Sequence, residues 1–308
     1  MKKIVVLGSF IVDLMARTPH LPSRGETVKG SAFTLGPGGK GSNQAIACKR
    51  TGGDVQFITK VGKDEFGKLA LNTFKKENIS TDNVFIDEKL STGAALIMVD
   101  EESSENEIVV TLGACENLTS ENINTCENII KESDLLLIQL ETNVDAVEKV
   151  IKIAHDNNVK VILNPAPIQN ISEDVLKLVN IITPNEVEAG ILTNMTIKSE
   201  QDASKAAKIL QEKEIENIII TLGSKGVFVK SKDEEKFIKS YKVKAIDTTG
   251  AGDAFNGGFV TALSEGNDIF HSAHFGNAVA ALSVTKIGTS VSMPSRKEVD
   301  DFMKNFNA

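Results

Sequence analysis

Cysteine, histidine and positive charge are all in short supply in this chain of 308 residues. Its three cysteines, Cys48, Cys115 and Cys126, have neither a pairing nor a metal-ligand spacing. That argues against a disulfide framework and fits a reducing, cytoplasmic setting. Four histidines (His20, His155, His271, His274) are too few and too scattered for a zinc enzyme. His271 and His274 are spaced for one helix face, but no third ligand stands near them, so both read as ordinary helix residues. Lys and Arg number 34 against 42 Asp and Glu, a net charge of −8, which argues against nucleic acid as the main partner. An anionic ligand must then be held by local backbone and a few cations. No apolar run is long enough to span a membrane. Lys2-Lys3 leads straight into a short strand-like run, which predicts no signal peptide. There is no internal repeat, low-complexity segment or dividing linker, so we expect a single α/β domain over residues 1–308 with a small appendage.

What is present is a regular alternation. Ile4 to Leu7, ending at Gly8, has the compact apolar character of a central buried strand. From about residue 120 the pattern predicts a helix (Ser120 to Glu132), a strand (Leu135 to Leu140), a helix (Val144 to His155) and a strand (Val159 to Leu163). A helix, the short strand Ile181-Ile182-Thr183, a helix after Pro184, a helix from Ser199 to Lys213 and the strand Ile218 to Thr221 follow. Strands alternating with helices imply a mostly parallel sheet covered on both faces. Ligands bind such sheets beyond the carboxyl ends of the strands. That rule selects Asp13, Glu141, Asn164, Asn185, Thr221-Leu222-Gly223 and the stretch from Asp247 to Asp253. Residues 10–36 and 91–112 differ in character. Asp13 to Thr18, Glu26 to Phe33, Thr92 to Asp100 and Glu107 to Leu112 are short and half-alternating, as strands with one solvated face would be. We expect these two insertions to form a small β lid.

Two glycine clusters carry the chemistry. The first to consider is Asp247-Thr248-Thr249-Gly250-Ala251-Gly252-Asp253-Ala254-Phe255-Asn256-Gly257-Gly258. Tyr241 to Ile246 before it alternates as a strand would, and Ala254 to Leu263 after it reads as a buried helix. Gly250 and Gly252 allow the backbone to turn sharply and to approach a ligand. Free N–H groups at a helix start make an anion site, with Asp253 at its mouth. A carboxylate there either handles a proton or simply caps the helix. The second cluster is Gly36-Pro37-Gly38-Gly39-Lys40-Gly41-Ser42-Asn43-Gln44-Ala45. By letter it contains GxGxxG (Gly36, Gly38, Gly41), with a helix, the strand Val55 to Val61 and Asp64 following, which admits a dinucleotide reading. Against that, it follows the small β segment instead of a central strand. It is not a Walker A loop, because Gly41 follows Lys40. Lys40 and Asn43 fall on the first helical turn, where they could hold a polyhydroxylated ligand.

Together the two clusters resemble the ribokinase-like (PfkB) carbohydrate kinases, through GGKGxNQA and DTxGAGDxFNG. Gln139-Leu140-Glu141, Asn164-Pro165-Ala166-Pro167, Thr183-Pro184-Asn185-Glu186-Val187-Glu188 and Thr221-Leu222-Gly223-Ser224-Lys225-Gly226 extend the resemblance, in the same order, over almost the whole chain. It implies a three-layer α/β/α fold and ATP-dependent phosphorylation of a pentose 5-hydroxyl, D-ribose to D-ribose 5-phosphate. By similarity Asp253 is the base. Ile11, Asp13, Gly38, Gly39, Lys40, Gly41, Asn43 and Glu141 match sugar-side positions. Asn185, Glu188, Thr221, Leu222, Gly223, Ser224, Lys225, Gly226, Gly250, Ala251, Gly252 and Asn277 match the ATP side. Mg²⁺ is expected with the phosphates. A monovalent cation, K⁺, is expected at Asp247, Thr249, Ser283, Lys286, Gly288 and Ser292, several through backbone carbonyls. The resemblance also implies a homodimer paired through the lids, since a small two-faced sheet cannot bury both faces alone.

One departure stands out. The family pattern Gly-Ser-x-Asn-x-Asp reads Gly8-Ser9-Phe10-Ile11-Val12-Asp13 here, so Ile11 replaces a sugar-contacting Asn. An apolar side chain leaves a buried hydroxyl unpaired at about 1–3 kcal/mol, which brings in 2-deoxy-D-ribose as the alternative substrate. Other sugar or nucleoside kinases of the family, a non-catalytic sugar or nucleotide sensor, and an NAD-type oxidoreductase using Gly36 to Gly41 are the remaining readings.

Overall fold

The computed structural model describes residues 2–103 and 105–306. Its strands in chain order are β1 (Lys3–Leu7), β2 (Ile11–Thr18), β3 (Ala32–Gly38), β4 (Asp54–Gly62), β5 (Val84–Asp87), β6 (Thr92–Asp100), β7 (Asn106–Gly113), β8 (Leu135–Gln139), β9 (Lys160–Asn164), β10 (Ile181–Ile182), β11 (Asn217–Thr221), β12 (Gly226–Lys230) and β13 (Glu235–Lys239). They form two sheets. The large one runs β13-β12-β11-β10-β9-β8-β1-β4-β5, and the small one runs β3-β2-β6-β7.

In the large sheet every pairing from β11 to β5 is parallel, while the edge pairings β11–β12 and β12–β13 are antiparallel. Alternate residues of β1 explain why both faces are covered. Ile4 and Val6 enter one hydrophobic core with Phe57, Phe74 and Phe259, while Val5 and Leu7 enter a second with Leu136, Val150 and Ile220. A strand buried on both sides has no polar face to show, hence its continuous apolar run. The result is the expected three-layer α/β fold. From β1 the chain builds outward to β4 and β5 on one side and to β8 through β11 on the other. The crevice beside β1 is the switch point at which such sheets take ligands. Among the described residues no helix is long and apolar enough to cross a membrane.

Three local expectations need correction. Tyr241 to Ile246 is not a strand. The ladder ends at β13, a strand of the β12–β13 hairpin that the sequence pattern did not reveal, and Ile246 donates its N–H to the Val284 carbonyl at 2.7 Å, outside any ladder. Glu26 to Ser31 is not a strand either. Gly25, at φ +81°, turns the chain, and pairing starts only at Ala32, running on into Gly38. The helix predicted over Ser120 to Glu132 breaks at Cys126 into Ser120–Thr125 and Glu127–Lys131. Its Ser, Asn and Thr side chains compete for the backbone and weaken a continuous helix.

Candidate active site

Helix Ala251–Ser264 starts from Gly250, whose φ of +76° is left-handed. A residue with a Cβ would meet roughly 1–2 kcal/mol of strain there. The turn leaves the N–H groups of Gly252 and Asp253 without backbone partners among the described residues, so they face outward at the positive helix end. Asp253 does not cap this helix, because among the described residues no side chain accepts from its first-turn N–H groups. The carboxylate instead reaches across to helix Lys40–Arg50. Its Oδ2 accepts from Asn43 Nδ2 and its Oδ1 from Gln44 Nε2, both at 2.9 Å.

Those amides are locked in turn. Ser290 Oγ donates to Asn43 Oδ1 at 2.6 Å. Gln139 Nε2 at the end of β8 donates to Gln44 Oε1 at 2.5 Å, and Gln44 Nε2 also donates to Asn164 Oδ1 at the end of β9, at 3.0 Å. Asn164 Nδ2 donates to the Thr183 carbonyl just after β10 at 3.0 Å. Thr183 Oγ1 donates to Asn256 Oδ1 at 2.7 Å, back on the Asp253 helix. Every acceptor oxygen named here faces a donor, so neither amide can turn over without a buried polar mismatch. The strand ends thus fix Asp253 with both oxygens directed.

Around this centre stand further charges. Glu141 Oε2 accepts from Ser9 Oγ at 2.5 Å and from the Lys40 N–H at 2.8 Å. Asp13 Oδ2 accepts from Thr289 Oγ1 at 2.9 Å. Burial, countered by that hydroxyl and reinforced by Glu141, Asp253 and Asp247, pushes the Asp13 carboxyl up to about 6. Burial alone would lower the Lys40 ammonium, but the carboxylates of Asp253, Glu141 and Glu188 outweigh it and hold Lys40 above its ordinary value. Lys40 is therefore a firm cation among acids. Gly38 and Gly39 bring β3 to the start of the Lys40 helix. Gly41 is buried against the backbone of Gly8. Ile11 lies two residues from Asp13 on the same face of β2 and is 2% exposed, packed with Ala95 and Ile97 of the small sheet.

On the other side of Gly252 opens a cavity of about 400 Å³. Thr221, Gly223, Ser224, Gly226, Ala251, Gly252 and Asn277 line it, together with Tyr241, Val243, Ala245, Phe255, Ala280, Ala281 and Val284. The first group was expected. The apolar wall was missed, because 241–245 reads as a strand and helix Ile269–Ser283 carries no motif of its own. Asn277 Nδ2 donates to the Lys239 carbonyl at 2.8 Å, tying the cavity to β13. Leu222 and Lys225 do not line it; Leu222 is buried, and Lys225 Nζ reaches the Lys198 carbonyl.

Asn185 and Glu188 form a reciprocal cap on helix Glu186–Thr193. Asn185 Oδ1 accepts from the N–H groups of Val187 and Glu188, and Glu188 Oε2 accepts from the Asn185 N–H. Burial, partly offset by the Asn185 N–H and Lys40 and augmented by Asp253, holds the Glu188 carboxyl above its usual range.

Asp247 Oδ1 accepts from the Thr249 N–H and Oδ2 from the Gly288 N–H, both at 2.9 Å. Burial opposes its ionisation, yet those N–H groups hold it below the usual carboxylate range. One carboxylate therefore joins the two segments expected to hold the monovalent cation. Lys286 Nζ pairs with Glu298 at 2.7 Å, and the Ser283 and Ser292 hydroxyls donate to the Ala280 and Thr289 carbonyls, so none of these side chains is left free.

The dinucleotide reading falls on geometry. Gly36 and Gly38 belong to an edge strand of the small sheet, not to the turn after a central strand. Asp64, the acid that reading required, caps helix Glu65–Lys76 and accepts from Thr92 N at 2.8 Å.

A doubly covered parallel sheet, an anion-ready helix start beside a directed carboxylate and an adjacent apolar cavity define an ATP-dependent sugar kinase of the ribokinase-like fold. The chain belongs to the pfkB family of carbohydrate kinases, which it matches over residues 1–296. It is 46% identical to a ribokinase of Haemophilus influenzae over 99% of both chains. It is 35% identical to a deoxyribokinase of Salmonella typhimurium, over 97% of this chain and 98% of that one. The structure of Arabidopsis thaliana ribokinase complexed with ribose and ATP superposes with a TM-score of 0.91 at 27% identity, covering 98% of this chain and 99% of that one.

Proposed function

We propose that this protein transfers the γ-phosphoryl group of ATP to the 5-hydroxyl of D-ribose, giving D-ribose 5-phosphate and ADP. The observation that carries this reading is the start of helix Ala251–Ser264, where open N–H groups stand beside a carboxylate held by two amides. The similarity to ribokinases over the full chain supports the sugar. Asp253 takes the proton of the attacking hydroxyl. Phosphoryl transfer passes through a loose transition state, so positioning and charge stabilisation dominate. The open N–H groups of Gly252 and Asp253 face the charge that develops on the transferring group, and Lys40 adds its positive charge. Asp13, Asn43, Lys40 and Glu141, with the Gly38–Gly39 backbone, bind the sugar hydroxyls. The apolar cavity at Tyr241–Ala245 takes the adenine, with Thr221 to Gly226 and Asn277 along its walls.

Mg²⁺ arriving with ATP would supply charge neutralisation at the phosphates. Glu188 fits it, since Oε2 is engaged with Asn185 while Oε1 is left to hold a water ligand. Asp247, Thr249 and Gly288, which the Asp247 carboxylate draws together, would hold K⁺. The small sheet acts as a lid that excludes water during transfer. Its outer face carries the cross-strand row Leu35–Leu14–Leu96–Val109, with Leu35, Leu96 and Val109 47%, 57% and 62% exposed. A second copy of the chain covers that row, making a homodimer. Three buried, unpaired thiols fit a cytoplasmic enzyme.

The second reading is a 2-deoxy-D-ribose kinase, and Ile11 favours it. Ile11 shares the β2 face with Asp13 but cannot bond a 2-hydroxyl. A coupled ADP-release assay with ribose, 2-deoxyribose, fructose and nucleosides tests both. A tenfold or larger preference for ribose supports the first reading and removes the second. Ile11→Asn is expected to move the ratio further toward ribose; no movement would place Ile11 outside the sugar contacts.

A further inference from the structure

The loop from Thr285 to Ser292 was not marked by any motif on the sugar side, yet it delivers two consecutive hydroxyls to the sugar-facing groups. Thr289 is 8% exposed and Ser290 is 1% exposed. Ser290 holds the Asn43 amide, as described. Thr289 Oγ1 sits between two acceptors, Asp13 Oδ2 at 2.9 Å on β2 and the Pro37 carbonyl at 3.1 Å on β3. The Asp13 carboxylate is confined on its other side by Gly38, where any Cβ would run into both of its oxygens. Asp13 is thus clamped between a backbone that leaves room only for glycine and a hydroxyl from a distant loop.

We infer that Thr289 is a positioning residue for sugar recognition: its hydroxyl holds Asp13 in one rotamer, with Oδ1 turned free to receive the pentose hydroxyls, and anchors the lid strands to the catalytic body. This rests on the proposal that Asp13 binds the sugar. The single Thr289 proton cannot fully serve both acceptors. The shorter contact to the carboxylate is the charge-assisted and stronger one. The same bond opposes protonation of Asp13. The charged groups acting on that carboxyl from other elements are Glu141 after β8, Asp253 on helix Ala251–Ser264 and Asp247 before it, all raising its titration toward about 6. Without the Thr289 donor that titration moves higher still. Asp13 is then protonated over more of the acid range.

The test compares Thr289→Val, Thr289→Ala and Thr289→Ser by kcat and KM for pentose and for ATP between about pH 5 and 8. Pentose binding is measured by calorimetry. For Thr289→Val the loss of a bond to a charged group predicts a rise of about tenfold or more in pentose KM and Kd. The effect falls on pentose KM more than on ATP KM or kcat, and the acid limb of kcat/KM for the pentose shifts to higher pH. Thr289→Ser, which keeps the hydroxyl, recovers most of the affinity. An unchanged pentose KM in the Val variant overturns the inference, as does a Ser variant as weak as Val, since that would make the methyl group and not the hydroxyl decisive. If the Val variant does not fold, the Ala and Ser pair makes the same comparison. A parent enzyme that phosphorylates a pentose while the variants are unmoved refutes the role of Thr289 alone; a parent that binds no pentose refutes the proposed function with it.

Discussion

Replacing Asp253 by Asn removes one charge and changes almost no volume, so its consequences can be worked from the hydrogen bonds. Asp253 is 7% exposed, and each oxygen accepts one amide N–H. An Asn at this position must aim its own NH₂ at either Asn43 or Gln44. Turning Asn43 to accept points its Nδ2 at Ser290 Oγ and deprives the Ser290 hydroxyl proton of its acceptor, and turning Gln44 withdraws its Nε2 from Asn164 Oδ1. One buried donor is left unmatched, at about 1–3 kcal/mol of stability. Loss of the proton acceptor lowers kcat by about 10²–10⁴-fold. The missing charge also relieves Asp13, whose titration falls below about 6, so sugar binding persists to lower pH in the variant than in the parent. The assay is single-turnover kinase activity with ribose, alongside calorimetric ribose binding across pH and a thermal melt. Asp253→Asn turnover within about tenfold of the parent would refute the base assignment. A large loss of ribose affinity with intact turnover would point to Asp253 as a sugar ligand instead.

The remaining predictions concern stability and assembly. Asp13 costs the empty enzyme stability, because its carboxyl titrates near 6 in the folded state and near 3.8 ordinarily. The ionised form is the disfavoured one, so the penalty is complete above about pH 6 and fades as pH falls toward 4. Asp13→Asn is therefore expected to raise the melting temperature more at pH 8 than at pH 4.5; an equal shift at both would break the linkage argument. Leu96→Glu places a charge in the middle of the exposed outer row of the lid. Light scattering at micromolar concentration should give a dimer for the parent and a monomer for the variant, and a monomeric parent would remove the homodimer proposal.

Most of the frame was legible in the chain. The buried strands announced themselves as short apolar runs because both faces of a parallel sheet are covered. The polar residues that end them, Gln139, Asn164, Thr183 and Thr221, stand where ligands approach. The strand and helix beginnings around Lys40 and Ala251 were visible as glycine clusters with polar residues behind them. Where the reading failed, local preference had been overruled by context. Tyr241 to Ile246 has the alternation of a strand but no neighbour beyond β13 to pair with, so it became a cavity wall. Ser120 to Glu132 has helix-like spacing but too many competing side-chain oxygens to continue past Cys126.

The sequence by itself determined the class of fold and marked the strand ends and glycine clusters where ligands were expected, because periodicity, glycine punctuation and residue chemistry are local properties; Asp253 was singled out as the candidate base through the family resemblance. Only the tertiary structure decided how that carboxylate is held. Gln44, Gln139 and Asn164 lie far apart in the chain, and nothing local marks Thr289 or Ser290 as anything more than loop residues. Their hydroxyls and amides acquire meaning when folding removes water and leaves each buried polar group one partner to find. The same desolvation converts Asp13 from an ordinary surface acid into one that titrates near 6, an effect of its surroundings that no residue name carries.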